Sequence, residues 1–369
     1  MTSALFSRLE LRGLTLPNRV VVSPMCQYMS DNGAATDWHL VHYGQFALGA
    51  AGLVMTEMTN CNPEGRITLK CAGLYSDAQE AAAKRVVDFC KGYGVAKLGV
   101  QLGHAGRKGS TGLPALGGKP LTAAEGAWTT LAPSALPYAP DWHVPQALDK
   151  AGMDKVKADF VASVKRAERV GYDLIEFHGG HGYLIHQFLS PLSNQRTDEY
   201  GGSTENRIRF PLEIFTAMRA VWPADKPMGI RVSATDWVEG GWTPEETVQF
   251  ARELKKLGCD YVDVTSGGVD PRQQAPLAPG YNVPFSAKVK QEAGVVTRSV
   301  GLIADAKLAE DIVSSGRADL IAIGRGAMWD PRWAWHAAEE LGAEAPYPPR
   351  ATPCLPTLRP QIFMKRAAK

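Results

Sequence analysis

Eight short, almost continuously apolar runs punctuate the chain, and longer amphipathic segments separate them. The runs cover residues 19–25, 52–58, 97–102, 173–178, 228–233, 261–266, 297–303 and 320–324. Runs this short, rich in β-branched residues and lacking polar alternation, suit strands covered on both faces. Eight such strands alternating with helices predict an α/β fold of the (β/α)8 TIM-barrel type. An open doubly wound sheet is the alternative. The count of eight favours the barrel, as do the polar and glycine residues that follow the strands around the whole set.

Helix ends support the alternation. Asp77 is a candidate cap for a helix running to about Gly92. Asp149 or Gly152 opens a segment from Met153 to Val170, which Gly171 closes. Thr243-Pro244-Glu245-Glu246 spells a capping box with proline at the first helical position, and Gly258 supplies a left-handed stop. Asp305 starts a helix ending at Gly316. A bare barrel needs about 250 residues, so a chain of 369 carries insertions. The largest, residues 103–150, follows the third strand and is expected to lie over the C-terminal mouth. A second long loop spans 179–203. Residues 1–345 read as one barrel domain, and the proline-rich tail 346–369 as irregular.

Composition narrows the partners. Forty basic side chains against 38 acidic leave a net charge of +2, too little field to argue for nucleic acid or an anionic membrane. No apolar stretch approaches a bilayer span. No basic segment followed by an apolar run marks a secretory signal, so the expected location is the cytoplasm. The six cysteines include no C-x-x-C pair, which argues against a zinc ribbon and for reduced thiols. Gly92-Tyr93-Gly94 lacks the third glycine of a dinucleotide fingerprint, and Gly117-Gly118-Lys119 runs into Pro120 and is no phosphate loop.

The richest chemistry follows the fourth run: His178-Gly179-Gly180-His181-Gly182-Tyr183. Two imidazoles can grip one oxygen, and a phenol that keeps its proton at neutral pH can act as a general acid. The same pattern leaves a zinc site with His186, or a purely structural role, open. Ile323-Gly324-Arg325-Gly326, together with Gly301-Leu302, stands where barrels often hold a phosphate; a turn glycine beside a surface arginine is the plainer reading. Arg231 lies inside a strand, so its charge must find a partner or a polar site. Gln101 can match the edge of a heterocycle. Cys26, in Ser23-Pro24-Met25-Cys26-Gln27-Tyr28, reads by itself as a core thiol.

These residues carry a family resemblance. The chain resembles the old yellow enzymes, flavin-dependent ene-reductases on a (β/α)8 barrel, and within them the bacterial thermophilic-like subclass. The motifs are Ser23 to Tyr28, Gln101-Leu102-Gly103-His104-Ala105-Gly106-Arg107-Lys108, His178 to Tyr183, Phe188-Leu189-Ser190-Pro191, and Asn194 to Ser203 with Arg207. The match runs from about Leu5 to about Leu341. It implies non-covalent FMN lined by Ser23, Pro24, Met25, Cys26 and Asn60. Gln101 would bind the flavin's pyrimidine edge, Arg231 its N1/O2 side, and Gly301, Gly324 and Arg325 its phosphate. The resemblance further implies NADPH or NADH as reductant. His178 and His181 would bind the oxygen of an activated alkene, Tyr183 would donate a proton, and Tyr28 and Cys26 would touch the substrate. No metal and no nucleic acid is implied, but a homodimer or homotetramer is. Three places depart from the subclass: Gly180 stands where an alanine is common, and the other two are larger. Asn60 replaces a small residue. The tail reads Pro348-Pro349-Arg350-Ala351-Thr352-Pro353-Cys354, where relatives end with an aromatic and an arginine that enters the neighbour's site.

Overall fold

A hairpin and a closed barrel organise the chain. The computed structural model describes residues 3–355. Strands β1 (Leu9–Leu11) and β2 (Leu14–Leu16) pair antiparallel. Strands β3 (Val20–Val22), β4 (Leu53–Asn60) and β5 (Lys97–Gly103) come next. Short strands β6 (Leu131–Ala132) and β7 (Gln146–Ala147) belong to the insertion. Then follow β8 (Leu174–Gly179), β9 (Met228–Ser233), β10 (Tyr261–Thr265), β11 (Val296–Val300) and β12 (Leu320–Ile323). Strands β3, β4, β5, β8, β9, β10, β11 and β12 close into one parallel barrel, with β12 pairing back onto β3. The eight apolar runs are therefore the eight barrel strands. The seventh is shorter than the sequence suggests, because the chain turns at Gly301, whose φ is +137°.

The helices are α1 (Asp37–Ala47), α2 (Asp77–Tyr93), α3 (Lys150–Val170), α4 (Leu184–Leu189) and α5 (Thr204–Val221). They continue with α6 (Pro244–Lys256), α7 (Val283–Ala293), α8 (Ala306–Ser314), α9 (Arg325–Trp329) and α10 (Trp333–Glu340). Thr243 and Glu246 form the expected reciprocal capping box, and Gly171 stops α3 in the left-handed region. Asp149 caps α3 through the Gly152 N–H at 2.7 Å. Three expectations are corrected. Ser76, not Asp77, caps α2, because its hydroxyl and the Gln79 amide satisfy each other's backbone. The 179–203 segment is not all loop: six fully buried residues form α4, since apolar Leu184, Ile185, Phe188 and Leu189 bury together. The tail is not wholly irregular: Pro349–Cys354 form a 3-10 helix.

Two apolar layers hold the barrel. The outer layer lies between strands and helices. The inner one fills the bottom, where Leu11 and Leu16 of the hairpin pack on Val21, Leu53, Met55, Leu174, Tyr261, Leu320 and Ala322. The hairpin thus plugs the N-terminal end and leaves the C-terminal mouth for chemistry. Among the described residues, no helix is long and apolar enough to cross a membrane.

Candidate active site

The fourth barrel strand delivers the central group. His178 is the penultimate residue of β8 and is buried. His181 follows with φ +57°, and its N–H donates to Ser233 Oγ at 2.9 Å. Gly182 has φ +72°, and a Cβ there would meet the Gly268 carbonyl oxygen at 2.1 Å. Only glycine lets this turn lie against the loop after β10. Tyr183 is the residue before the first turn of α4. The His178 ring stands edge-on to both His181 and Tyr183, with centroids 5.2 Å away in each case.

Proton positions follow from the partners. His178 Nδ1 accepts the Gly180 N–H. Burial, reinforced by Arg231, pushes the His178 imidazole well below its ordinary value. The ring is therefore neutral with its proton on Nε2, a donor. His181 is pushed down by the same causes, and its Nε2 lies 3.2 Å from Thr265 Oγ1. Burial pushes the Tyr183 phenol up, and the neighbouring Cys26 and Tyr28 add to it, so it stays protonated.

Beside this group opens a pocket of about 290 Å³ at the ends of β11 and β12, lined by His181, Arg231, Thr265, Gly301, Gly324 and Arg325 among others. Tyr281 and Asn282 crowd the Gly301 position, where a Cβ would stand 3.0 Å and 3.1 Å from them. A Cβ on Gly324 would lie 3.8 Å from Ser23 Oγ and Met25 Sδ, so the ends of β3 and β12 face the same space. Ser23 Oγ is buried without a hydrogen-bond partner. The Arg231 side chain is 8% exposed and lies 3.1 Å from Asp263 Oδ2, yet its Nε makes no aligned hydrogen bond. Buried donors without acceptors, glycines clearing a channel, and Arg325 at its rim suit an elongated anionic ligand. That donor set fits FMN, the cofactor the resemblance implies.

The segment after β3 forms another wall. Cys26, Tyr28 and Tyr183 pack on Met58, Ile67, Cys71 and Ala105. Glu57, inside β4, holds this segment: Oε2 accepts the Gln27 N–H at 3.0 Å, while Oε1 meets His39 Nε2 at 3.1 Å and the Tyr43 hydroxyl at 3.2 Å. Burial, and Glu57 next, push the Cys26 thiol well up, which works against a reactive thiolate. The roof is fastened by two adjacent cations. Arg107 donates to the carbonyls of Leu136, Pro137 and Val269. Lys108 donates to those of His181 and Gly268 and lies over the Tyr138 and Tyr183 rings at 4.7 and 5.4 Å.

Other candidates stand apart from the pocket. Gln101 Nε2 donates to Glu176 Oε1 at 2.9 Å within the barrel. Asn60 gives its amide to the Ala72 carbonyl, leaving Oδ1 without a partner. His186 uses both ring nitrogens, one accepting the Gly182 N–H and one against Asp236 Oδ1 at 2.8 Å. It is not free to join a zinc site, and no group of three or more potential metal ligands occurs among the described residues. Arg350 lines an outer groove with Leu48, Arg332, Trp335 and Cys354. The sequence did not single out Glu57, Thr265, Asn282, Glu176, Asp263 or Arg298, and it offered Lys108 only as part of a motif, without a role. For Glu176, Asp263 and Arg298 the signal was the one that singled out Arg231: a charge inside an apolar strand.

The model of the NADH:flavin oxidoreductase / NADH oxidase family matches residues 4–344. An NADPH dehydrogenase of Geobacillus sp. (strain WCH70) is 41% identical over 344 residues, covering 93% of this chain and 96% of the relative. An NADPH dehydrogenase of Listeria innocua is 43% identical over 348 residues, covering 93% and 97%. Among solved structures, morphinone reductase superposes with a TM-score of 0.79 at 28% identity, covering 95% of this chain and 93% of that one.

Proposed function

Because the chain belongs to the NADH:flavin oxidoreductase / NADH oxidase family, with FMN as cofactor and a nicotinamide as reductant, we propose that it reduces activated C=C bonds. The substrates of this reading are enals, enones, maleimides and nitroalkenes. FMN, when bound, would supply the hydride-transfer chemistry between NAD(P)H and the substrate's C=C bond. Ser23, Pro24, Met25 and Cys26 would line the flavin, with Asn60 near it. Gln101 and Arg231 would hold the pyrimidine edge, and Gly301, Gly324 and Arg325 the phosphate.

The chain's own part is position and protons. The Nε2–H of neutral His178, with His181 beside it, would hold the substrate's electron-withdrawing oxygen. Negative charge grows on that oxygen as the β-carbon is attacked, and fixed donors act most strongly there. Tyr183 would deliver its proton to the α-carbon. Tyr28 and Cys26 would border the substrate. Arg107 and Lys108 would hold the roof that keeps water out. The observation that carries this reading is the convergence of two neutral imidazoles and one protonated phenol beside a pocket with unpartnered buried donors.

The test is the visible spectrum of the purified protein. Its flavin bands should bleach under anaerobic NADPH and return on adding 2-cyclohexen-1-one. A colourless protein carrying stoichiometric zinc would overturn the reading. In Tyr183→Phe, bleaching should keep its rate while the return slows roughly 10²–10⁴-fold, the range of one general acid. Equal slowing of both steps would remove Tyr183 as the donor.

A further inference from the structure

Below the mouth and above the apolar plug, the barrel holds a tier of charged side chains. Arg298, from the middle of β11, is wholly buried and lies over the Tyr261 ring at 5.2 Å. Its guanidinium pairs with Glu176 Oε2 and, at 2.8 Å, with Asp263 Oδ2. Glu176 also accepts the Tyr261 hydroxyl at 3.1 Å, and through Oε1 it accepts the Gln101 amide at 2.9 Å. Asp263 stands between Arg298 and Arg231, with its Oδ2 3.1 Å from Arg231 Nε. Both carboxylates are fully buried.

Charged side chains are a costly filling for the middle of a barrel. Buried ion pairs are weak sources of stability, and replacing them with well-packed apolar groups is often neutral or favourable. Burial pushes the Arg298 guanidinium down, but Asp263 and Glu176 outweigh it and hold the charge firmly. Burial pushes the Glu176 carboxyl up, and Arg298 pulls against that; with both carboxylates ionised, two guanidiniums and two carboxylates leave the tier formally neutral. Gln101, bonded to Glu176, and Arg231, beside Asp263, are the two side chains assigned above to the flavin's pyrimidine edge.

We propose that Glu176, Asp263 and Arg298 are positioning residues that set, through Gln101 and Arg231, how strongly the site prefers reduced over oxidised FMN. This rests on the reading that FMN lies against Gln101 and Arg231. Adding a hydride to FMN, with the nicotinamide oxidised in exchange, leaves one more negative charge on the ring system. A tier held at zero net charge limits how much the Arg231 cation favours that state. Removing one carboxylate charge leaves the tier net positive, in surroundings where charge is poorly screened.

The experiment measures the FMN reduction potential of the holoenzyme, together with FMN affinity and thermal unfolding, in Asp263→Asn, Glu176→Gln and Tyr261→Phe. Asp263→Asn should raise the potential most, by at least a tenfold change in relative affinity for the two states, or about 30 mV for a two-electron couple. Glu176→Gln should raise it less, because Asp263 touches Arg231 whereas Glu176 pairs with Arg298 and Gln101. Tyr261→Phe removes a hydrogen bond but no charge and should leave the potential unchanged. If Asp263→Asn does not fold, the sign of the Glu176→Gln shift still decides. Unchanged or lowered potentials, with only stability reduced, would make the tier structural and overturn the proposal. A wild-type protein that binds no FMN would instead overturn the reading beneath it.

Discussion

His104, His178 and His181 are held in the neutral form. Burial pushes His104 down to about 3, and it pushes His178 and His181 well below their ordinary value. An unfolded histidine titrates at about 6.5. Below that pH the unfolded chain takes up protons that the fold refuses, so stability falls as pH drops from about 6.5 toward the folded values. A histidine titrating only in the unfolded state steepens the fall by up to about 1.4 kcal/mol per pH unit. Urea midpoints measured from pH 7 to pH 4.5 should therefore drop. His104→Asn, which keeps an acceptor for the Gly106 N–H, should flatten that drop by close to one proton; an unchanged slope would show that His104 does not resist protonation. In the role proposed for His178, the resistance would matter for binding. A charged imidazole would still donate, but it would bind anions in the resting enzyme, whereas a neutral one answers only to charge that develops on its ligand. Burial, then Arg107, also pushes the Lys108 ammonium down, to about 7, so that near neutral pH it is charged in part.

Elements here are set largely by their ends. In α6, Thr243 Oγ1 accepts the Glu246 N–H at 3.3 Å and Glu246 Oε2 accepts the Thr243 N–H at 3.0 Å. Glu246 also reaches Thr204 and Arg207, so the cap ties α6 to α5. Thr243→Ala should cost about 1 kcal/mol, the usual value for such a cap, as read from urea unfolding. A loss under a few tenths would mean that the tie to α5 carries the end of the helix. The capping box was legible because it is a four-residue pattern whose partners are neighbours in sequence. Helix α4 was not, because six residues show less than two turns of periodicity, and its helical state depends on burial against α5 and the insertion. The same limit explains α2: Ser76 and Asp77 are both good caps, and only the reach of Gln79 decides between them.

At the scale of the whole molecule, closure of the barrel depends on filling both ends. The β1–β2 hairpin does so at the bottom, with Leu16 fully buried against the inner strands. Leu16→Ala should destabilise the protein by about 2–5 kcal/mol, the range for deleting a buried leucine. A loss below 1 kcal/mol would show the hairpin to be an appendage. At the top, Arg107 and Lys108 join the insertion to the loops after β8 and β10, so the roof and the site form one body.

The barrel itself was written in the sequence, because strands covered on both faces must be apolar throughout and eight of them are countable. The His178 to Tyr183 cluster was also legible, because glycines and titratable groups crowded after one strand stand out locally. Tertiary structure alone decided which side chains share the space. Arg231, Asp263, Arg298 and Glu176 come from four strands more than a hundred residues apart at the extremes, and they meet only because a closed sheet brings equivalent levels of its strands together. Protonation was decided there too: the sequence names the imidazoles, but burial and the donors around them determine that they are neutral.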